Sequence, residues 1–244
     1  MTIQVRNKKE PLRLTLVLAH PDDESFICGG TIAKYAALGA DISLVCATKG
    51  EMGRRMGNPP FVNRETMPAL REAELREACR LLGIGDLRFL GIRDKLVECE
   101  PVSQLVETIK TELRFRKPHV VLTFHERIGG HPDHCAIGLA TTRACAELKR
   151  ELPQLRLYFI SFGEAMKRPE KYGFRKEQIT RIDITDQRRS KMLSFRAHRS
   201  QTELDKSLWG PDDRVVREFG TNEYFIQADA PYRPGETDLF AHVK

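Results

Sequence analysis

No apolar run in the chain is long enough to span a bilayer, which argues against a membrane-spanning helix. The six cysteines, Cys28, Cys46, Cys79, Cys99, Cys135 and Cys145, include no closely spaced pair, so a zinc ribbon or a dithiol redox motif is excluded. Several lie in apolar segments and read as reduced, buried thiols. Residues Met1 to Glu10 are polar and lack the apolar core of a signal peptide, so the expected location is the cytosol. A basic block with interleaved aromatics is also missing. The net charge of +6 is spread through helical stretches where acids alternate with bases, such as Arg71-Glu72-Ala73-Glu74-Leu75-Arg76-Glu77, the pattern of a solvated helix face. Nucleic acid is therefore not an expected partner, and a small anionic substrate accounts equally well for a modest positive excess. With no internal repeat, low-complexity tract or interdomain linker, the 244 residues are expected to form a single domain, 1–244.

What the chain does contain is an alternation of short apolar runs and helical patterns. Leu12 to Ala19 is nearly continuous in apolar residues, as in a strand covered on both faces. Ser25 to Leu38 turns helical and stops at Gly39. Ile42 to Thr48 reads as a second buried strand, and Lys49 to Pro68 as a long loop. Ala69 to Leu82 is an amphipathic helix closed by Gly83. Further strands are expected at Leu87 to Leu90, His119 to Phe124 and Leu155 to Ser161, with helices at Val102 to Phe115 and about Asp133 to Arg150. The last third is less regular, with strands at Gln178 to Ile184 and Tyr224 to Gln227 around a helix from Gln187 to His198. This order predicts an α/β domain with a mainly parallel sheet.

Two polar clusters stand just after predicted strands. The first is Ala19-His20-Pro21-Asp22-Asp23-Glu24, and the second is His131-Pro132-Asp133-His134. In open α/β sheets ligands gather outside the carboxyl ends of strands, so the two clusters can converge. Three neighbouring carboxylates resist ionising together unless something positive sits among them, and a divalent metal is the simplest candidate. Zinc accepts nitrogen and carboxylate ligands, and catalytic sites use three protein ligands plus water. His20 and Asp23 can reach one ion from a turn, and one histidine of the second cluster would complete the set. Each cluster alone could instead be a helix cap; both at equivalent strand ends, with three histidines, favour metal. Iron(II) or another divalent ion suits the same donors.

The pairing of Ala-His-Pro-Asp-Asp-Glu with a downstream His-Pro-Asp-His resembles the zinc-dependent LmbE/PIG-L family of sugar de-N-acetylases. Within that family, the stretches Gly50 to Pro60, Asp86 to Lys95 and Arg196 to Glu203 resemble the second type of bacillithiol-pathway deacetylase, which acts on N-acetylglucosaminyl-malate. The resemblance implies a Rossmann-like sheet with helices on both faces, a cytoplasmic hydrolase and a homo-oligomer. It implies that His20, Asp23 and His134 hold zinc and that Asp22 is the general base. It further implies that His131 stabilises the oxyanion or protonates the leaving amine, with Asp133 hydrogen-bonding His131. In the loop, Arg54 and Arg64 become candidate contacts for the sugar or its malate, since arginine suits carboxylate recognition. Glu51 would bind a sugar hydroxyl or anchor the loop, and His198 is a candidate for the substrate pocket. Some relatives carry a tyrosine shortly before the second motif, where this chain has Ile128, Gly129 and Gly130.

Other residues have plainer readings. Asp133 could be only a helix cap, Glu24 a helix-start acid, and Cys28 and Cys135 packing residues. His119 reads as structural, and nothing aims His125 or Glu126 at a metal. Two rival functions are a deacetylase of a different N-acetylated sugar or amide conjugate and a nucleotide-binding module suggested by the strand-turn-Gly29-Gly30 opening. The latter is weak, because the spacing does not form the dinucleotide fingerprint and the acids would repel phosphates.

Overall fold

Seven strands form one sheet in the order β3-β2-β1-β4-β5-β7-β6 in a computed structural model that describes residues 10–243. The amino-terminal segment read above as lacking a signal sequence lies, apart from Glu10, outside the described residues. The strands are β1 (Arg13–Leu18), β2 (Asp41–Cys46), β3 (Asp86–Phe89), β4 (Val120–Thr123), β5 (Arg156–Ser161), β6 (Ile179–Asp183) and β7 (Asn222–Gln227). β1 to β5 are mutually parallel, and β7 runs antiparallel to both β5 and β6. The single α/β domain with a mainly parallel sheet is therefore as expected, including both strands of the less regular last third.

The helices are α1 (Asp23–Ala37), α2 (Met67–Leu82), α3 (Val102–Arg116), α4 (Pro132–Glu147), the short α5 (Gly163–Lys167), α6 (Arg188–Ala197), the single-turn α7 (Arg199–Thr202) and α8 (Asp212–Glu218). α1, α2 and α6 pack on one another, as do α3 and α4. The right-handed crossover rule puts these two groups on opposite faces. That explains why β1 reads as a continuous apolar run: Leu14, Leu16, Val17 and Leu18 have no exposed surface. The one polar residue among them, Thr15, bonds Ser43 Oγ of β2 at 2.8 Å, so burial leaves no hydroxyl unpaired.

The strand order reverses between β1 and β4, the switch point at which such sheets open a crevice. The two polar clusters follow these two strands. Thr123 Oγ1 donates to Val17 O at 2.8 Å and Thr48 Oγ1 to Ala19 O at 3.0 Å, which ties the strand ends together just below the crevice. Gly29 and Gly30 lie inside α1, not in a phosphate-binding turn, and a side chain at Gly30 would collide with Ile184. These are packing glycines, which removes the feature that suggested a nucleotide. The six cysteines are free thiols, four of them buried. Among the described residues no helix is long and apolar enough to cross a membrane.

α4 is seated against the end of β4 at Gly138, where an added Cβ would fall against the Phe124 carbonyl. Alanine is the better helix former by ~1 kcal/mol, yet Gly138→Ala should lose about 1–3 kcal/mol through overpacking. Urea or thermal unfolding measures this, and unchanged stability would mean that α4 does not sit this close.

Candidate metal centre and active site

β1 ends at Leu18, and the chain turns sharply to start α1. Asp22 takes φ 111°, a left-handed conformation rare outside glycine. The strain is held by neighbours: Asp22 N–H donates to Glu24 Oε2 at 3.0 Å, and Arg71 grips the Pro21 carbonyl. The turn sends adjacent aspartates to different partners. Asp22 Oδ2 pairs with Arg71 Nη2 at 2.7 Å. Asp23 Oδ2 accepts the backbone N–H of His20 at 2.8 Å and of Ala19 at 3.2 Å, so Oδ1 is left to face His134 Nε2 at 3.2 Å.

The second cluster arrives from β4. His134 Nδ1 donates to Gly129 O at 2.8 Å, which fixes the tautomer and presents Nε2 3.1 Å from His20 Nδ1. Buried Phe124 stacks on the His134 ring at 3.9 Å between centroids and holds its plane. His20 Nε2 in turn contacts Asp133 Oδ2 at 3.1 Å and Asp94 Oδ1 at 3.2 Å, the carboxylate support that metal-binding histidines commonly have. Two donor groups could hold an ion: His20, Asp23 and His134, or His20, His131 and Asp133. In the second, the Asp133 carboxylate is already taken by the backbone N–H groups of Lys95 and Glu98 as well as by His20.

The electrostatics fit a cation. Burial opposes an imidazolium at His20, but hydrogen bonds that the ring donates to the Asp133 and Asp94 carboxylates outweigh it and raise the ring to about 10. Burial likewise opposes a charged Asp23, yet His134 and His20 hold its carboxyl well below the ordinary range. Such a cluster requires positive charge, supplied as protons or as a metal that displaces them. Two imidazole nitrogens and one carboxylate oxygen suit zinc or a similar divalent ion. Asp22 differs from its neighbour. Although 23% of its side chain is open, desolvation lifts its carboxyl to about 6, against the downward pull of Arg71.

A cavity of about 270 Å³ opens above this cluster, with Asp22, His131, Arg54 and Lys95 among its walls. Arg54 is thus where a substrate contact was expected. Asp133 does hydrogen-bond His131, though not through its carboxylate, and the expectations for Arg64 and His198 need correcting. The Asp133 carboxylate supports His20 instead of His131; it is the Asp133 backbone N–H that donates to His131 Nδ1, at 3.1 Å, in a helix-capping arrangement. The neutral His131 ring therefore carries its proton on Nε2. Arg64 does not reach the cavity, because its Nη1 donates to Gly53 O at 2.6 Å and Glu51 O at 3.2 Å and staples the loop. His198 is fully buried behind the site, with Nε2 2.6 Å from Glu24 Oε1. Its contact toward the site is with Glu24, and it does not line the cavity. Glu51 is the loop anchor, its Oε2 accepting the Asp94 N–H at 3.0 Å.

The sequence reading missed Asp94, Lys95 and the true place of Arg71. Arg71 looked like part of a solvated face but is only 3% exposed. Its position four residues before Leu75 and seven before Ala78, both buried, puts it on the apolar stripe of α2. Asp94 follows β3 at the same sheet edge as the two motifs, which was the available signal. His119 is structural as expected, with Nδ1 accepting Arg13 N–H at 3.0 Å. His125 packs edge-on against Phe159 and Phe174, away from the cluster.

Residues 15–145, more than half of the chain, match the family model described as PIG-L: GlcNAc-PI de-N-acetylase. The chain belongs to the PIG-L family. Among PIG-L relatives, the Bacillus subtilis (strain 168) protein named "Probable N-acetyl-alpha-D-glucosaminyl L-malate deacetylase 2" is 42% identical over 188 residues, covering 77% of this chain and 82% of the relative. The N,N'-diacetylchitobiose deacetylase of Pyrococcus horikoshii superposes with a TM-score of 0.65 at 23% identity, covering 89% and 84% of the two chains. The 4-carboxy-2-hydroxymuconate hydratase of Pseudomonas putida KT2440 superposes at 0.69 with 17% identity, covering 92% and 99%. A hydratase on the same scaffold shows that the PIG-L fold alone does not dictate deacetylation. With its family and relatives named for de-N-acetylation, this chain is a hydrolytic deacetylase.

His198→Ala leaves the Glu24 carboxylate buried without its cation and should cost about 3–5 kcal/mol of stability, with KM little changed. A raised KM with an unaltered unfolding midpoint would instead return His198 to the substrate pocket.

Proposed function

We propose that this enzyme is a metal-dependent deacetylase of an N-acetylglucosaminyl conjugate, most specifically N-acetylglucosaminyl-malate in bacillithiol synthesis. The observation that carries the reading is the convergence of His20 Nδ1, Asp23 Oδ1 and His134 Nε2 beside an aspartate, Asp22, that none of them engages. These three residues would hold the ion, zinc by preference. When bound, it supplies a Lewis acid and makes water acidic enough to ionise near neutral pH.

The rest is done by side chains of this chain. Asp22, raised to about 6, is suited to take a proton from water at neutral pH. Arg71 holds its carboxylate in place at 2.7 Å and keeps it from the triad. Neutral His131 offers Nε2–H to the carbonyl oxygen as negative charge develops there. Without the tyrosine found in some relatives, this task falls to His131, a neutral donor in the cavity wall. The proton taken by Asp22 must finally reach the departing amine, since an amide nitrogen leaves as the amine and not as its anion. Asp133 and Asp94 position His20, and thereby the metal. Arg54 and Lys95 give the cavity the positive wall that a malate carboxylate requires.

Neighbouring aspartates with different tasks should separate experimentally. Asp22→Asn should retain stoichiometric metal and lose about 10²–10⁴-fold in kcat, whereas Asp23→Ala should lose metal itself. Metal analysis alongside an acetate-release assay measures both; equal loss of metal in the two variants would refute the division. The substrate prediction is a kcat/KM for N-acetylglucosaminyl-malate at least about tenfold above that for N-acetylglucosamine, the scale of one charged hydrogen bond. Equal values would remove the anion-reading role of Arg54 and Lys95.

A further inference from the structure

The triad has a second opening. Asp22, Asp23 and His134 also line a separate space of about 490 Å³, whose remaining walls are Phe26, Ile27 and Phe162 with the backbone of Gly129 and Gly130. Its character is opposite to that of the cavity holding Arg54 and Lys95. It is apolar, and its two large aromatics are unusually open, Phe26 at 53% and Phe162 at 38% exposed. The glycines keep it that way: a side chain at Gly130 would stand against the Phe162 ring, and one at Gly129 would crowd His134.

An amide held at the triad has two ends, and the two cavities differ in what they can take. The basic side suits the sugar and its anionic group, which leaves the acyl side of the amide facing the apolar space. An acetyl methyl is comparable to one water, about 30 Å³ of liquid volume, and fills a small part of it. Ligand pockets of a few hundred Å³ with apolar walls are ordinarily built for larger groups. We infer that the enzyme is a broader N-deacylase, whose second cavity takes linear or branched apolar acyl chains longer than acetyl. The inference rests on the function proposed above and extends it to the acyl half of the substrate. The reaction remains a hydrolysis: the C–N bond breaks, a C–O bond forms from water, and the products are a longer carboxylate and the same free amine. Continuity with the triad commits the cavity to the substrate's own acyl chain. Among the side chains that line it, the polar ones are Asp22, Asp23 and His134, so an apolar chain meets no other polar side chain there.

The test uses the metal-loaded enzyme and a series of N-acylglucosaminyl-malates carrying acetyl, butyryl and hexanoyl groups, with release of the free amine as the readout. Each buried methylene should raise kcat/KM by up to about fourfold, so the hexanoyl compound should match or exceed the acetyl one. A hexanoyl value more than about tenfold below acetyl would overturn the inference, since an apolar pocket that fits should not discriminate against methylenes in that direction. Two variants localise the effect. Phe162→Ser, at a half-open surface position, and Ile27→Trp, which fills the space, should each lower the ratio of hexanoyl to acetyl kcat/KM about tenfold or more. Equal losses on both chain lengths would overturn it. If the acetyl compound itself is not hydrolysed, the proposed function fails first and this inference falls with it; hydrolysis of acetyl alone sinks only the second cavity.

Discussion

The left-handed turn at Asp22 is the constraint on which the site depends. An L-residue at φ 111° costs on the order of 1–3 kcal/mol, and several groups are arranged to hold it there. Glu24 accepts the Asp22 N–H, and Arg71 binds both the Pro21 carbonyl and the Asp22 carboxylate. A relaxed helical turn would place Asp22 and Asp23 on neighbouring sides of one helix start, each competing for the same ion. The strained turn separates them. Asp23 is delivered to the histidines and Asp22 to the guanidinium, and a pair of adjacent, chemically identical side chains acquires two different environments.

That separation is electrostatic as well as geometric. Asp22, Asp23, Glu24, Asp94 and Asp133 gather within the first turns after three strands, and such crowding would ordinarily force protons onto several of them. The structure distributes counter-charges instead. Arg71 serves Asp22, His198 serves Glu24, and the histidine pair serves Asp23. Asp94 and Asp133 are both spent on His20. Each carboxylate thus has an assigned partner, and the metal would replace only the protons of the His20–Asp23–His134 group.

The strands and both metal-site motifs were legible in the sequence for a physical reason. Parallel strands buried on both faces must be apolar throughout, so their ends are marked, and the clusters stand at those ends. Single residues without a spacing signal were not legible. Asp94 is one aspartate in the loop after β3, and only the parallel register of β2 and β3 brings that loop beside His20. Arg71 was obscured by the charged residues around it, although its phase with Leu75 and Ala78 pointed inward. His198 could be recognised as noteworthy but not placed, because its partner Glu24 is 174 residues away. Asp133 illustrates a further limit: a residue in the first turn of a helix carries both a free backbone N–H and a side chain, and sequence cannot tell which of them faces the capping His131.

The irregular last third, the least patterned part of the chain, turns out to brace the catalytic turn. α6 packs on both α1 and α2, the helices that carry Asp23 and Arg71. Just beyond it, Ser200 donates through both its backbone N–H and its hydroxyl to buried Glu74, at 2.6 and 2.7 Å. Glu74 is three residues from Arg71 on the same buried stripe of α2. Glu24, which holds the strained turn, is therefore secured from behind by His198, and α2, the helix that carries Arg71, is tied to the same short segment through the Glu74–Ser200 pair. A strained turn at the mouth of a sheet cannot be maintained by the sheet alone, because the ladder ends where the turn begins. The added segment supplies the missing support, which accounts for buried polar pairs in a layer where apolar packing would otherwise suffice.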